Sequence, residues 1–250
     1  MQAHRTERAG SALHSLASRR AALRRLGSLA AVLLRGVDLS QDAAAQHAAT
    51  ASAAATEIGN APPGRVALEI IAKIAQQGSK FSFYGYLTAI SGLAEATLFA
   101  TSNPAVRTAA GARFTFVGAA TLAARSVVQP LFVVDAEGSL TIYFNEAGGA
   151  NFGNGQGFSS GLPIAVLSLR FQSIINVLAP KQELFTGFGE LTQVAATPFT
   201  LAGRLWRLGH PGLTARLSAT GQGTLLDPAL PRATIVSAGN VVVTGTTSGG

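Results

Sequence analysis

Arg170, within "LSLRFQS", and Glu190, within "GFGELTQ", are the two opposite charges whose setting most invites chemistry. Both stand in runs of apolar and β-branched residues, where every second side chain faces the same side. If both faced an interior, the pair could orient an anionic or carbonyl-bearing ligand. Glu69, Arg113, Arg125, Arg204, Arg207 and Arg216 are further charges in such runs, and Tyr84, Tyr86, Tyr143 and Trp206 offer rings with a polar edge for lining a pocket. The competing assignment puts the charges on the solvent face and the rings in ordinary packing.

Nucleophilic chemistry has one formal motif, Gly157-Phe158-Ser159-Ser160-Gly161, with Glu183 or Glu190 and then His210 in the order of a triad. That motif requires a strand before it and a helix after it. Here the Gly/Asn stretch "NEAGGANFGNGQG" precedes it and Pro163 opens a strand after it, so a hairpin loop is the simpler reading. Asn145, Glu146, Asn151 and Asn154 offer oxygens to a calcium ion, without the acidic spacing of a known calcium loop. Gly153, Gly155 and Gly157 lack the Lys-Ser/Thr pair of a phosphate cradle. Zero Cys and four His leave no thiolate or zinc chemistry to expect, and no metal or cofactor is implied.

The elements that must hold these residues are strands. Past Gly64 the prolines fall at 104, 130, 163, 180, 198, 211, 228 and 231, mostly between apolar runs, as residues that cannot donate to a sheet ladder should. In "RVALEIIAKIAQ" Val66, Leu68, Ile70, Ala72 and Ile74 are apolar at period two, which predicts a strand, although a helix over 66–77 competes because Ala, Leu, Glu and Lys also favour helices. Eight later segments rich in Val, Ile, Thr and aromatics extend the pattern to Gly245. Asp135-Ala136-Glu137-Gly138, Ala202-Gly203 and Ala238-Gly239-Asn240 are the predicted turns.

The expectation is an all-β domain over 65–250, an antiparallel barrel of roughly eight to ten strands, with a β-sandwich as the alternative. Glycines inside the runs, among them Gly85, Gly118, Gly187, Gly189, Gly221 and Gly223, favour the barrel, because close strand approach needs them. The pattern resembles lipocalin-type and allene-oxide-cyclase or dirigent-type barrels. That resemblance implies carriage of a small apolar ligand or guidance of a reactive intermediate.

The formal charge of +7 belongs almost entirely to the first 35 residues, which hold seven Arg against Glu7, so six of the seven charges lie there. A nucleic-acid partner for the body therefore loses its support. From Ser18 the chain passes from Arg19, Arg20, Arg24 and Arg25 into the apolar run 26–34 and then to Ala43-Ala44-Ala45, the plan of an export signal. A helix over that run spans about 13.5 Å, less than half of the roughly 30 Å hydrocarbon core, so no transmembrane helix is expected. Ser18-Arg19-Arg20 followed by Leu23 and Arg24 resembles the twin-arginine signal S-R-R-x-F-L-K, with Ala22 where Phe is usual. An organellar transit peptide and a retained basic surface helix are the alternatives.

The predicted layout is thus a helical export signal over 1–45, an Ala/Thr/Pro-rich linker over 46–64, and the barrel. Cleavage is expected after Ala45, with Ala55 as a second site. The function expected is that of an exported barrel, extracellular or in the periplasm or cell envelope, binding a small apolar or amphipathic molecule, with export machinery as its transient partner. The alternatives are a structural or surface-interaction protein that self-associates, a cofactor-independent cyclase or isomerase on the same barrel, and, more remotely, an outer-membrane barrel.

Overall fold

The computed structural model describes residues 54–227 and 232–247. The predicted export signal over 1–45 lies outside the described residues. The strands are β1 (Thr56–Ile58), β2 (Val66–Gln77), β3 (Lys80–Ile90), β4 (Phe114–Val128), β5 (Leu131–Phe144), β6 (Leu162–Ala179), β7 (Gln182–Ala196), β8 (Phe199–Leu201), β9 (Arg204–Leu208), β10 (Leu213–Asp227) and β11 (Arg232–Thr246). Eight of them, β2 to β7 with β10 and β11, close a barrel in which all neighbours are antiparallel. Residues 66–77 are strand: Leu68, Ile70, Ala72 and Ile74 face the interior while both edges pair, with β11 and with β3.

The pairing is strongly staggered. A line of paired residues leaves Lys80 at the start of β3 and runs through Thr121, Glu137, Arg170, Glu190, Arg216 and Val242. It arrives at Val66, the far end of β2. Such a stagger tilts the strands against the barrel axis and widens the interior.

Glycine and phenylalanine fill that interior together. Phe116 lies over Gly85, where a Cβ would stand 2.6 Å from its ring, and Phe83 lies over Gly118 in the same way. A ring from one strand thus occupies the space that a side chain on its neighbour would need, which is how large and small residues interdigitate in a dense core. Each such buried ring contributes about 1.5–3 kcal/mol.

Two of the predicted turns are corrected. Asp135 to Gly138 lies in the middle of β5 and Ala238 to Asn240 in the middle of β11. A Cβ on Gly138 or Gly239 would run into the neighbouring backbone, at 2.6 Å from Ala120 Cα and 2.8 Å from Ala219 Cα, so these glycines serve strand approach and not chain reversal. The reversals fall at Gly78-Ser79, Gln129-Pro130 and Pro180-Lys181. Ala202-Gly203 is a turn, with φ of 50° and 73°, joining β8 to β9.

The barrel's two ends differ. At one, the connections are long: 91–113, 145–161 and the β8–β9 insert. Phe114, Phe144 and Phe199 pack there with ring centroids 4.7 to 5.6 Å apart. Buried Ile58 and Leu208 add to this seal, and Gln193 donates to the Leu208 carbonyl at 2.8 Å. Residues 56–58 belong to this end, because β1 pairs in parallel with β9. At the other end the described connections are all tight hairpins.

Candidate functional site

Among the described residues the hairpin end is open, and its inward residues line a basin of about 560 Å³. Ile175, Val177, Phe132, Val134 and Leu225 make its apolar walls, and Glu183 and Arg125 are its charged groups. One inward step deeper on β7 stands Phe185, followed by Phe171 from neighbouring β6 and Phe83 from β3. These rings fill the centre so fully that the void among them measures about 80 Å³. A ligand of ordinary size fits a cavity of about 300–1,000 Å³, so the basin and not the centre is the candidate site.

Glu183 reaches the basin by simple alternation. It shares its face of β7 with Phe185, Gly187, Leu191 and Gln193, all buried. Its own exposure is 8%, and among the described residues its Oε2 has no hydrogen-bond partner. Gly223, paired with it from β10, leaves the room: a Cβ there would stand 3.0 Å from Oε2. Burial pushes the Glu183 carboxyl above the ordinary carboxylate range.

Arg125 arrives by a different device. A register shift between Leu122 and Ala124 turns β4 over, so that Arg125 opposes buried Val134 on the inner face. Its guanidinium lies 5.0 Å from the Phe132 ring centroid, at the exposed rim.

Arg125 is among the strand charges the sequence offers; the pair Arg170 and Glu190, with Arg113 and the four rings, lies elsewhere. Arg170 and Glu190 are paired register positions, but on the outer wall, where each is more than half exposed. They belong to a cross-strand ladder in which Arg170 Nε stands 4.0 Å from Glu137 and Arg216 donates to Glu190 at 3.3 Å. Arg113 ties two loops of the sealed end, donating to the carbonyls of Glu146 at 3.1 Å and Thr97 at 3.2 Å. Tyr84 and Tyr86 face outward beneath the 145–161 loop, Tyr84 against Phe158 at 4.9 Å and Tyr86 against Phe152 at 5.9 Å. Burial pushes the Tyr86 hydroxyl up from its ordinary value. Tyr143 is half-buried on β5. Trp206 is buried in β9, where its Nε1 donates to the Leu201 carbonyl at 3.2 Å and Arg204 stacks at 4.6 Å. None of the seven lines the basin.

Ser159, Glu183, Glu190 and His210 do not assemble as a triad. Phe158 is fully buried and its carbonyl accepts from Thr115 Oγ1 at 2.7 Å, which pins the loop as a cover over Tyr84. His210 Nδ1 is 2.7 Å from Glu57 Oε1 at the sealed end, while Arg207 donates to Glu57 Oε2 at 2.8 Å. Burial there would raise the Glu57 carboxyl, but hydrogen bonds from His210, Arg207 and Asn60 outweigh it and hold the carboxyl below its ordinary value.

The sequence offers Glu183 only as a triad alternative, yet its place on the inner face has a signal. In "QELFTGFGELTQV" it has the same parity as Phe185 and Leu191, whereas Glu190 has the opposite one. A strand segment that begins at Gly187, as in "GFGELTQ", does not contain that parity. Compared with protein-family models, with curated proteins and with solved structures, the chain matches none.

Proposed function

We propose that the chain is an exported barrel that takes a small amphipathic molecule into its hairpin-end basin. The apolar part of the ligand rests on Ile175, Val177, Phe132 and Leu225, and its polar end meets the charged groups of the basin. The observation that carries this reading is the asymmetry of the barrel: a filled centre and a sealed end, against an open end with about 560 Å³ of largely apolar basin. The export part rests on the leader's charge and apolar run and is a reading of sequence.

Native mass spectrometry of the protein from its own host tests the binding part, the expected result being a co-purifying small molecule. A fluorescent apolar probe gives a second readout, and Val177→Trp, placed to fill the basin, is expected to weaken probe binding at least tenfold with the melting temperature little changed. A clean apo mass together with no probe binding would overturn the reading.

A second reading has its own observation. Val128 and Leu178, on the tips of the β4–β5 and β6–β7 hairpins, are 70% and 63% exposed. Such tips favour a surface-interaction role, and a concentration-dependent mass in sedimentation that disappears in Val128→Asp/Leu178→Asp would support it.

A further inference from the structure

We infer that the basin selects ligands whose polar end is a protonated amine, held by Glu183. This rests on the binding reading above and adds the chemical class of the ligand. A carboxylate at 8% exposure, with apolar neighbours and an oxygen that meets no donor, is a binding group awaiting its partner. Among the described residues no Lys, Arg or His stands within ion-pair distance of it. Its flanking strands contribute Ile175 and Val177 from β6 and Gly223 and Leu225 from β10, none of them a donor side chain.

The remaining charge of the basin does not change this. Among the described residues Arg125 is the one cation lining it, exposed at the rim with its face against Phe132, where water screens it. Lys181, in the adjoining turn, is exposed as well. A fatty acid would bring a second carboxylate beside Glu183, and like charges in an apolar setting repel strongly. An alcohol would donate one hydrogen bond but leave the buried charge uncompensated. An ammonium supplies both the donor and the charge, and charge-assisted hydrogen bonds are roughly twice as strong as neutral ones. Gly223 keeps open the space beside Oε2 that the head group needs. Burial raises the Glu183 carboxyl from its ordinary value, and a bound ammonium offsets that by stabilising the ionised form.

The test uses the full chain and three probes of one chain length, decylamine, decanol and decanoate, each displacing a fluorescent apolar probe near neutral pH. Decylamine is expected to bind at least tenfold more tightly than the other two. Glu183→Gln, which keeps shape and removes charge, is expected to abolish that preference and leave decanol affinity as it was. Lowering the pH through the raised Glu183 range is expected to shrink the amine's advantage in the wild type and to do nothing in Glu183→Gln. The inference is overturned if decylamine binds no better than decanol, or if its advantage survives in Glu183→Gln. In either case decanol binding would leave the carrier reading standing. If neither the apolar probe nor any decyl compound binds, the carrier reading fails and this inference with it. The three-probe comparison on the wild type decides the matter even if the variant fails to fold.

Discussion

Two glutamates show how position decides what a carboxyl does. Glu57 is surrounded by donors, so its charged form is stabilised and its pKa lies below the ordinary value of 4.5. Its contribution is present above pH 4.5 and is lost as the pH falls through its lower folded value. Glu183 is surrounded by apolar walls, so its folded value is raised and the sign reverses. Its neutral form suits the fold below pH 4.5, and stability is lost as the pH rises through the folded value. Thermal melts from pH 4 to pH 8 therefore separate them. Glu183→Gln is expected to match the wild type at the acid end and to melt higher than it towards neutral pH; a gap that stays constant with pH would remove burial as the cause. Glu57→Gln is expected to cost about 1–2 kcal/mol at neutral pH, the loss of two charge-assisted contacts, and to converge on the wild type as the pH falls. Neither partner set was readable from sequence. Glu57 meets residues about 150 positions away, and Glu183 is defined by what it does not meet.

At the scale of strands, period two carried most of what could be read. It placed Leu68, Ile70, Ala72 and Ile74 on one face of β2, and the prolines at 130 and 180 do lie at chain reversals. It failed where glycine has two meanings. Gly138 and Gly239 look like turn residues in a local window, but their role is set by the backbone of the next strand, which a local window does not contain. Gly118 has the same non-local reason: Phe83 occupies the space its side chain would need. Gly118→Val is expected to destabilise the barrel by about 1–3 kcal/mol or more, as overpacking does, read in a denaturant titration. The shorter companion Phe83→Leu, by opening space beside Gly118, is expected to recover part of that loss, and purely additive effects would argue against direct interlocking. The outer ladder is a contrast. Glu137, Arg170, Glu190 and Arg216 alternate in sign along one line of register, yet each side chain is at least 61% exposed. Arg216→Ala is expected to cost less than about 1 kcal/mol, and less still in high salt.

For the whole molecule, the closed barrel could be anticipated from the number of strands and their glycines, but the difference between its ends could not. The sealed end is built by residues far apart in sequence, because β8 and β9 interrupt the meander between β7 and β10, and β1 completes their sheet in parallel. The stretch 46–64, whose composition reads as a linker, thus contains a strand whose Ile58 is 1% exposed. This bears on where the proposed export signal could be cut. Removal of residues 1–45 leaves β1 whole, so that chain is expected to melt as the full-length protein does. A chain starting at Gly59 lacks Ile58 and the grip of Arg207 and His210 on Glu57. Losing a buried Ile alone costs about 2–5 kcal/mol, and at this chain length each kcal/mol moves the midpoint by about 2–4 °C. Calorimetry on the two truncated chains reads that difference directly. Equal melting of both would mean that β1 adds nothing to the seal, whereas a drop confined to the chain starting at Gly59 makes β1 part of the domain that any cleavage has to spare.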